Sequence, residues 1–110
     1  EGACGHAVHL TSDMTPAEAA NASAVHLPGW PHVSYAGFYE TDAEAGNHMY
    51  AWYFPAQQPK TVAADAPLLI WLQGGPGGSS MFGLFVENGP FFVDEHTQLH
   101  ARNTSWNLHY

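Results

Sequence analysis

Between Trp71 and Pro90 the sequence reads WLQGGPGGSSMFGLFVENGP, and these twenty residues hold six of the chain's eleven glycines and two of its eight prolines. That much bare backbone lies directly behind an apolar run, Pro67 to Leu72, which is short, continuously apolar and bounded by Pro and Gly. The run predicts a buried strand over residues 67–73. Gly74, Gly75, Gly77 and Gly78 surround Pro76. Backbone of this kind can take left-handed or extended turns, and nothing blocks another group from approaching its N–H donors. Ser79 or Ser80 is placed to cap a short helix running to Glu87, with Gly83 a weak point inside it, and Asn88-Gly89-Pro90 ends it. Strand, bare loop and helix start together form a geometry that can bind an anion.

Three chemistries compete for such a loop. A P-loop requires G-x-x-x-x-G-K-[ST], and a dinucleotide loop requires G-x-G-x-x-G with an acidic residue some 20 positions on. Neither pattern is present, and no basic residue lies between Lys60 and Arg102. The third is an oxyanion hole, in which backbone N–H groups after a strand face the charge that develops on an attacked carbonyl.

The rest of the chain is read around this loop. Residues 1–24 lack a sustained period and read as an irregular N-terminal arm. Thr15-Pro-Ala-Glu18 has the form of a capping box and predicts one helical turn there. Val33–Thr41 and His48–Phe54 are rich in aromatic and branched residues around the turn chemistry of Ala45-Gly46-Asn47, which predicts a β-hairpin. Pro55–Ala66 is a polar connection. Phe91–Val93 and Gln98–Arg102 predict two short strands around a turn at Asp94-Glu95-His96.

Composition narrows the partners. Charged residues make up 11% of the 110 residues against 45% hydrophobic ones. A surface so poor in charge is expected to meet other protein, so we read a piece of a larger domain, processed or truncated, rather than an autonomous fold. A formal net charge of −8, with two Lys plus Arg, lacks the cations that phosphate contacts demand, and no nucleic-acid partner is expected. Protonating all eight His would bring the charge near zero, which hints at an acidic compartment. No run reaches about 18 apolar residues, so no membrane span is expected, and any leader is expected to have been removed.

Asn21-Ala-Ser23 and Asn103-Thr-Ser105 both have the form of glycosylation acceptors. Cys4 is the only cysteine, and its partner is expected in another chain or segment. His96 with His100, and His6 with His9, have metal-like spacing, but nothing completes either set, so neither a metal nor a cofactor is expected.

A family resemblance rests on LPGW at Leu27–Trp30, SYAGF at Ser34–Phe38, AWYFPAQ at Ala51–Gln57, DAPLLIWLQGGPGGSSMFGLFVENGP at Asp65–Pro90 and SWN at Ser105–Asn107. In this order they resemble the opening of a serine carboxypeptidase of peptidase family S10, over about residues 25–110. The resemblance is strongest to the vitellogenic-like members. Gln73 stands where many relatives have Asn, and Gly78 where many have a disulfide-forming Cys.

The resemblance implies a fold class of α/β, with residues 25–110 as the N-terminal segment of an α/β-hydrolase domain whose antiparallel first strands lead into a mixed sheet. It implies a secreted, lysosomal or vacuolar enzyme that removes single C-terminal residues from peptides with a free C-terminus at acidic pH. The nucleophile elbow Gly-x-Ser-x-Gly is absent from this sequence, so the Ser-Asp-His triad is expected elsewhere, in the remainder of the domain or in a separate chain tethered through Cys4. Ser79 and Ser80 lack the elbow's spacing and read as helix-start residues.

By motif position the resemblance makes Gly75 an oxyanion-hole N–H donor. It makes Trp71, Gln73, Gly74 and Glu87 the pocket for the substrate's terminal carboxylate, where Glu87 would share a proton with a second acid. The residues alone favour a helix-end role for Glu87, and Trp71 serves equally as a core residue. An inactive carboxypeptidase-like binding or storage protein and an acyltransferase on the same scaffold remain as alternatives.

Overall fold

The computed structural model describes residues 7–62 and 65–110. Cys4 and His6 therefore lie outside the described residues. The chain divides into two compact units, one made of the chain up to His26 with Val33–Phe54, the other of Leu27–His32 with Pro55–Tyr110.

The first unit is a mixed four-stranded sheet built on its longest strand. Its elements in chain order are β1 (His9–Leu10), helix α1 (Pro16–Ser23), β2 (Ala24–Val25), β3 (Ser34–Asp42) and β4 (Asn47–Tyr53). Along one edge of β3 run β1, parallel, with Leu10 opposite Tyr39, and β2, antiparallel, with Val25 opposite Ser34. β4 takes the other edge as the second arm of the expected hairpin, from Tyr35 opposite Tyr53 to Asp42 opposite Asn47. The turn works because Asp42 Oδ1 accepts from the Ala45 N–H at 3.0 Å and Gly46 takes φ +67°. Leu10 and Ser34 are buried, and the Ser34 hydroxyl accepts from the indole N–H of Trp52 at 3.0 Å, which satisfies both groups.

Helix α1 has eight residues, longer than the single turn read from the sequence. Its capping box is complete. Thr15 Oγ1 accepts from the Glu18 N–H at 3.3 Å, and Glu18 Oε2 accepts from the Thr15 N–H at 2.9 Å. Asn21 is exposed on this helix, while the Ser23 hydroxyl is buried and donates to the Ala19 carbonyl.

The second unit packs around Phe91, which is fully buried, with Trp30 edge-on at 5.6 Å and Phe85 at 5.5 Å between ring centroids. β5 (Phe91–Val93) and β6 (Leu99–Ala101) form the expected second hairpin. Gln57 and Gln58 donate their N–H groups to the carbonyls of Asn107 and Leu108, and the Asn107 side chain donates to the Pro55 carbonyl, so the polar connection is tied to the chain's last turn. Asn103 is exposed in the bend after β6, and Ser105 is buried.

Two expectations change. Residues 67–73 form neither strand nor helix, and Leu68, Ile70 and Leu72 are 69, 77 and 77% exposed. An apolar run becomes a strand only when neighbours complete its ladder, and among the described residues none pairs with it. The helix after the loop is not a regular α-helix either. It opens at Met81 and Phe82 and continues as a π-helix over Gly83–Glu87, with the Asn88 N–H reaching back five residues to the Gly83 carbonyl at 3.0 Å.

Candidate oxyanion and carboxylate site

The glycine loop turns at Gly75-Pro76-Gly77, with φ +146° at Gly75 and +86° at Gly77 and a cis peptide between Gly75 and Pro76. These angles lie where L side chains rarely go, so the density of glycine follows from the turn. A Cβ at residue 78 would stand 2.5 Å from the Gly74 carbonyl, so any side chain there would require the loop to shift. Gly74 is different: it is exposed, and a Cβ built on it meets no heavy atom within 4 Å. Among the described residues, no acceptor takes the N–H of Gly74 or of Gly75.

Beside these donors Gln73 is held at both ends. Its backbone N–H donates to Ser80 Oγ at 3.1 Å, and its side-chain Oε1 accepts from the indole N–H of Trp71 at 3.0 Å. That second bond orients the amide and leaves Nε2, the donor end, for a ligand's acceptor. Ser79 Oγ accepts from the Met81 N–H at 3.3 Å. Ser79 thus acts at the start of the helix, while the Ser80 hydroxyl turns back to the Gln73 N–H.

Trp71 is placed by two contacts that the sequence did not announce. Its ring meets Trp106 edge-on at 5.4 Å, and it lies against Gly83, where a Cβ would fall 2.1 Å from its Nε1. Gly83, read as a weak point in a helix, is the surface on which the indole rests. Glu87 lies at the other end of the π-helix. Its side chain is exposed, and among the described residues its carboxylate makes no hydrogen bond to Gln73 or Gly74. Its carbonyl accepts from Arg102 Nη1 at 2.8 Å. The structure therefore joins Trp71, Gln73 and the glycine loop through side-chain contacts, and links Glu87 to them only through the helix backbone.

The histidine pairs find other partners. His100 Nε2 lies 2.7 Å from Asp94 Oδ2, and His96 lies 3.6 Å from the Glu95 carboxylate. His9 packs edge-on against His48 at 4.8 Å. Among the described residues, no three His, Cys, Asp or Glu side chains are grouped to hold a metal ion, and no helix is long and apolar enough to cross a membrane.

A family model described as serine carboxypeptidase matches residues 28–109, which include both hairpins, the glycine loop and the π-helix. The chain belongs to the serine carboxypeptidase family. The fold class implied by the family is that of the α/β-hydrolases, and the mixed sheet is consistent with it.

The Homo sapiens protein named "Probable serine carboxypeptidase CPVL" is 50% identical over 81 residues, 73% of this chain and 16% of that protein. The venom serine carboxypeptidase of Apis mellifera is 51% identical over 75 residues, 67% of this chain and 15% of its own length. The vitellogenic carboxypeptidase of Aedes aegypti is 43% identical over 98 residues, 88% of this chain and 20% of its own length. The chain spans between a seventh and a fifth of these relatives.

Proposed function

We propose that this segment supplies the anion-binding half of a serine carboxypeptidase site, with the Ser-Asp-His triad in sequence outside these 110 residues. The observation that carries the reading is the juxtaposition of the Gly74 and Gly75 N–H groups, which no acceptor takes among the described residues, with a Gln73 amide already oriented by Trp71. When a serine Oγ adds to the scissile carbonyl, its oxygen gains negative charge, and the Gly75 N–H meets that charge. The peptide's terminal carboxylate lies one residue further along. It accepts from the Gly74 N–H and Gln73 Nε2, with the Trp71 ring as a wall and Glu87 completing the pocket.

The substrate is then a peptide with a free C-terminus, released one residue at a time, and residues 25–110 form the first part of the hydrolase domain. The net negative, His-rich composition and the likeness to a venom serine carboxypeptidase support a secreted or lysosomal setting in which Asn21 and Asn103 carry sugar.

Gly74→Ala in the complete enzyme tests this. The added methyl meets nothing within 4 Å in this segment, and the amide substrate controls for any contact with the rest of the domain. With a free-acid peptide KM rises about tenfold, and with the C-terminal amide of the same peptide it stays within about twofold. Wild-type KM for the free acid would remove Gly74 from carboxylate binding. Gly75→Ala is less informative, since φ +146° and a Cβ 3.0 Å from the Gly78 nitrogen make it strained with or without substrate.

A further inference from the structure

Arg102 emerges just past β6 and turns its guanidinium back onto the end of the π-helix. Nη1 donates to the Glu87 carbonyl at 2.8 Å and Nη2 to the Phe85 carbonyl at 2.7 Å. The Arg102 backbone N–H donates to the Pro90 carbonyl at 2.8 Å, and the guanidinium carbon stands 5.9 Å from the centre of the Phe92 ring. One residue thus closes the helix end, the turn after it and the hairpin that follows.

The choice of partner is unusual for this sequence. The chain has two Lys plus Arg against ten Asp plus Glu, and Arg102 satisfies backbone carbonyls while carboxylates are plentiful. Carbonyls at a helix C-terminus lack intrahelical donors and sit at the negative end of the helix dipole, so a cation belongs there. The planar fork of a guanidinium can serve two carbonyls at once; a single ammonium cannot do so in the same geometry.

A π-turn holds more residues per turn than an α-turn, so relaxing it to α geometry would shift the phase of its last residue by about 100°, the rotation of one α-helical residue. Glu87 is that last residue. We infer that Arg102 is a positioning residue: by holding the Phe85 and Glu87 carbonyls it keeps the π-helix in register and aims the Glu87 side chain at the substrate's terminal carboxylate. The inference rests on the carboxylate pocket proposed above.

The test is steady-state kinetics on the complete enzyme with a free-acid peptide and its C-terminal amide. Arg102→Met keeps the stem over Phe92 and removes the donors. KM for the free acid rises about tenfold, while KM for the amide and kcat for both stay within about twofold. Arg102→Lys gives a smaller rise in the same direction, and it decides the matter if the Met variant does not fold: wild-type KM for the free acid in Arg102→Lys, with Arg102→Met unfolded, overturns the inference. In Arg102→Ala, millimolar guanidinium restores free-acid KM and ammonium does not, a rescue that a general loss of packing would not show.

Glu87→Ala run alongside separates the two readings. If it abolishes discrimination between acid and amide while Arg102→Met affects both substrates equally or neither, the positioning role is wrong and the pocket stands. If Glu87→Ala discriminates as wild type does, Glu87 is not in the pocket and the inference falls with that assignment.

Discussion

The Trp71 indole N–H donates to Gln73 Oε1 at 3.0 Å while the same ring rests on the Cα of Gly83, so one side chain couples the glycine loop to the π-helix. Gly83→Ala places a methyl 2.1 Å from Nε1 and must push the ring away. The expected cost is about 2 kcal/mol or more, seen as a lower Tm of the complete enzyme. Trp71→Phe shortens the ring and relieves the clash, so the double variant is less destabilised than the sum of the single ones. Strict additivity would place the indole elsewhere.

Thr15→Ala removes one half of the capping box on α1 and leaves the Glu18 N–H without its side-chain acceptor. A loss of about 1 kcal/mol in local stability is expected, read as several-fold faster amide hydrogen exchange across Pro16–Ser23, with Thr15→Ser close to wild type. Unchanged exchange in Thr15→Ala would show that packing rather than the cap holds the helix.

The Asp94 carboxyl is held below its ordinary range, first by the Gln98 N–H and then by the His100 ring, with the His96 N–H adding to both. A depressed folded-state value means that the carboxylate's contribution to the β5–β6 turn is complete above the ordinary carboxylate range. It is lost as pH falls through the lower, folded value. Amide exchange at Gln98, corrected for intrinsic rate, should therefore accelerate below about pH 4. Asp94→Asn keeps an acceptor oxygen and removes the titration, so its corrected exchange should be flat with pH.

The 110 residues alone are expected not to unfold cooperatively, because Leu68, Ile70 and Leu72 face solvent on a segment that no strand pairs among the described residues. A dye that binds exposed apolar surface should bind the isolated chain strongly, and heating should give a broad transition. A sharp two-state melt would contradict this.

Both hairpins and the start of α1 are legible in the sequence because their signals are local. Asp42 to Asn47 carries its own turn chemistry, Thr15 and Glu18 satisfy each other three residues apart, and the Asp94 turn binds its own following N–H groups. The glycine loop is legible for the same reason, since its φ values are a property of the residues in it.

Pairing partners and helix register are not local properties. Pro67–Leu72 has the composition of a buried strand, yet burial depends on neighbours that composition cannot supply, and here it stays exposed. The π-helix at Gly83–Glu87, the seat of Trp71 on Gly83 and the reach of Arg102 to Phe85 and Glu87 join residues up to 17 positions apart. No period or spacing announces these contacts: a guanidinium or an indole finds its partner only once the backbone has brought them within hydrogen-bond or van der Waals range, and that proximity belongs to the folded chain.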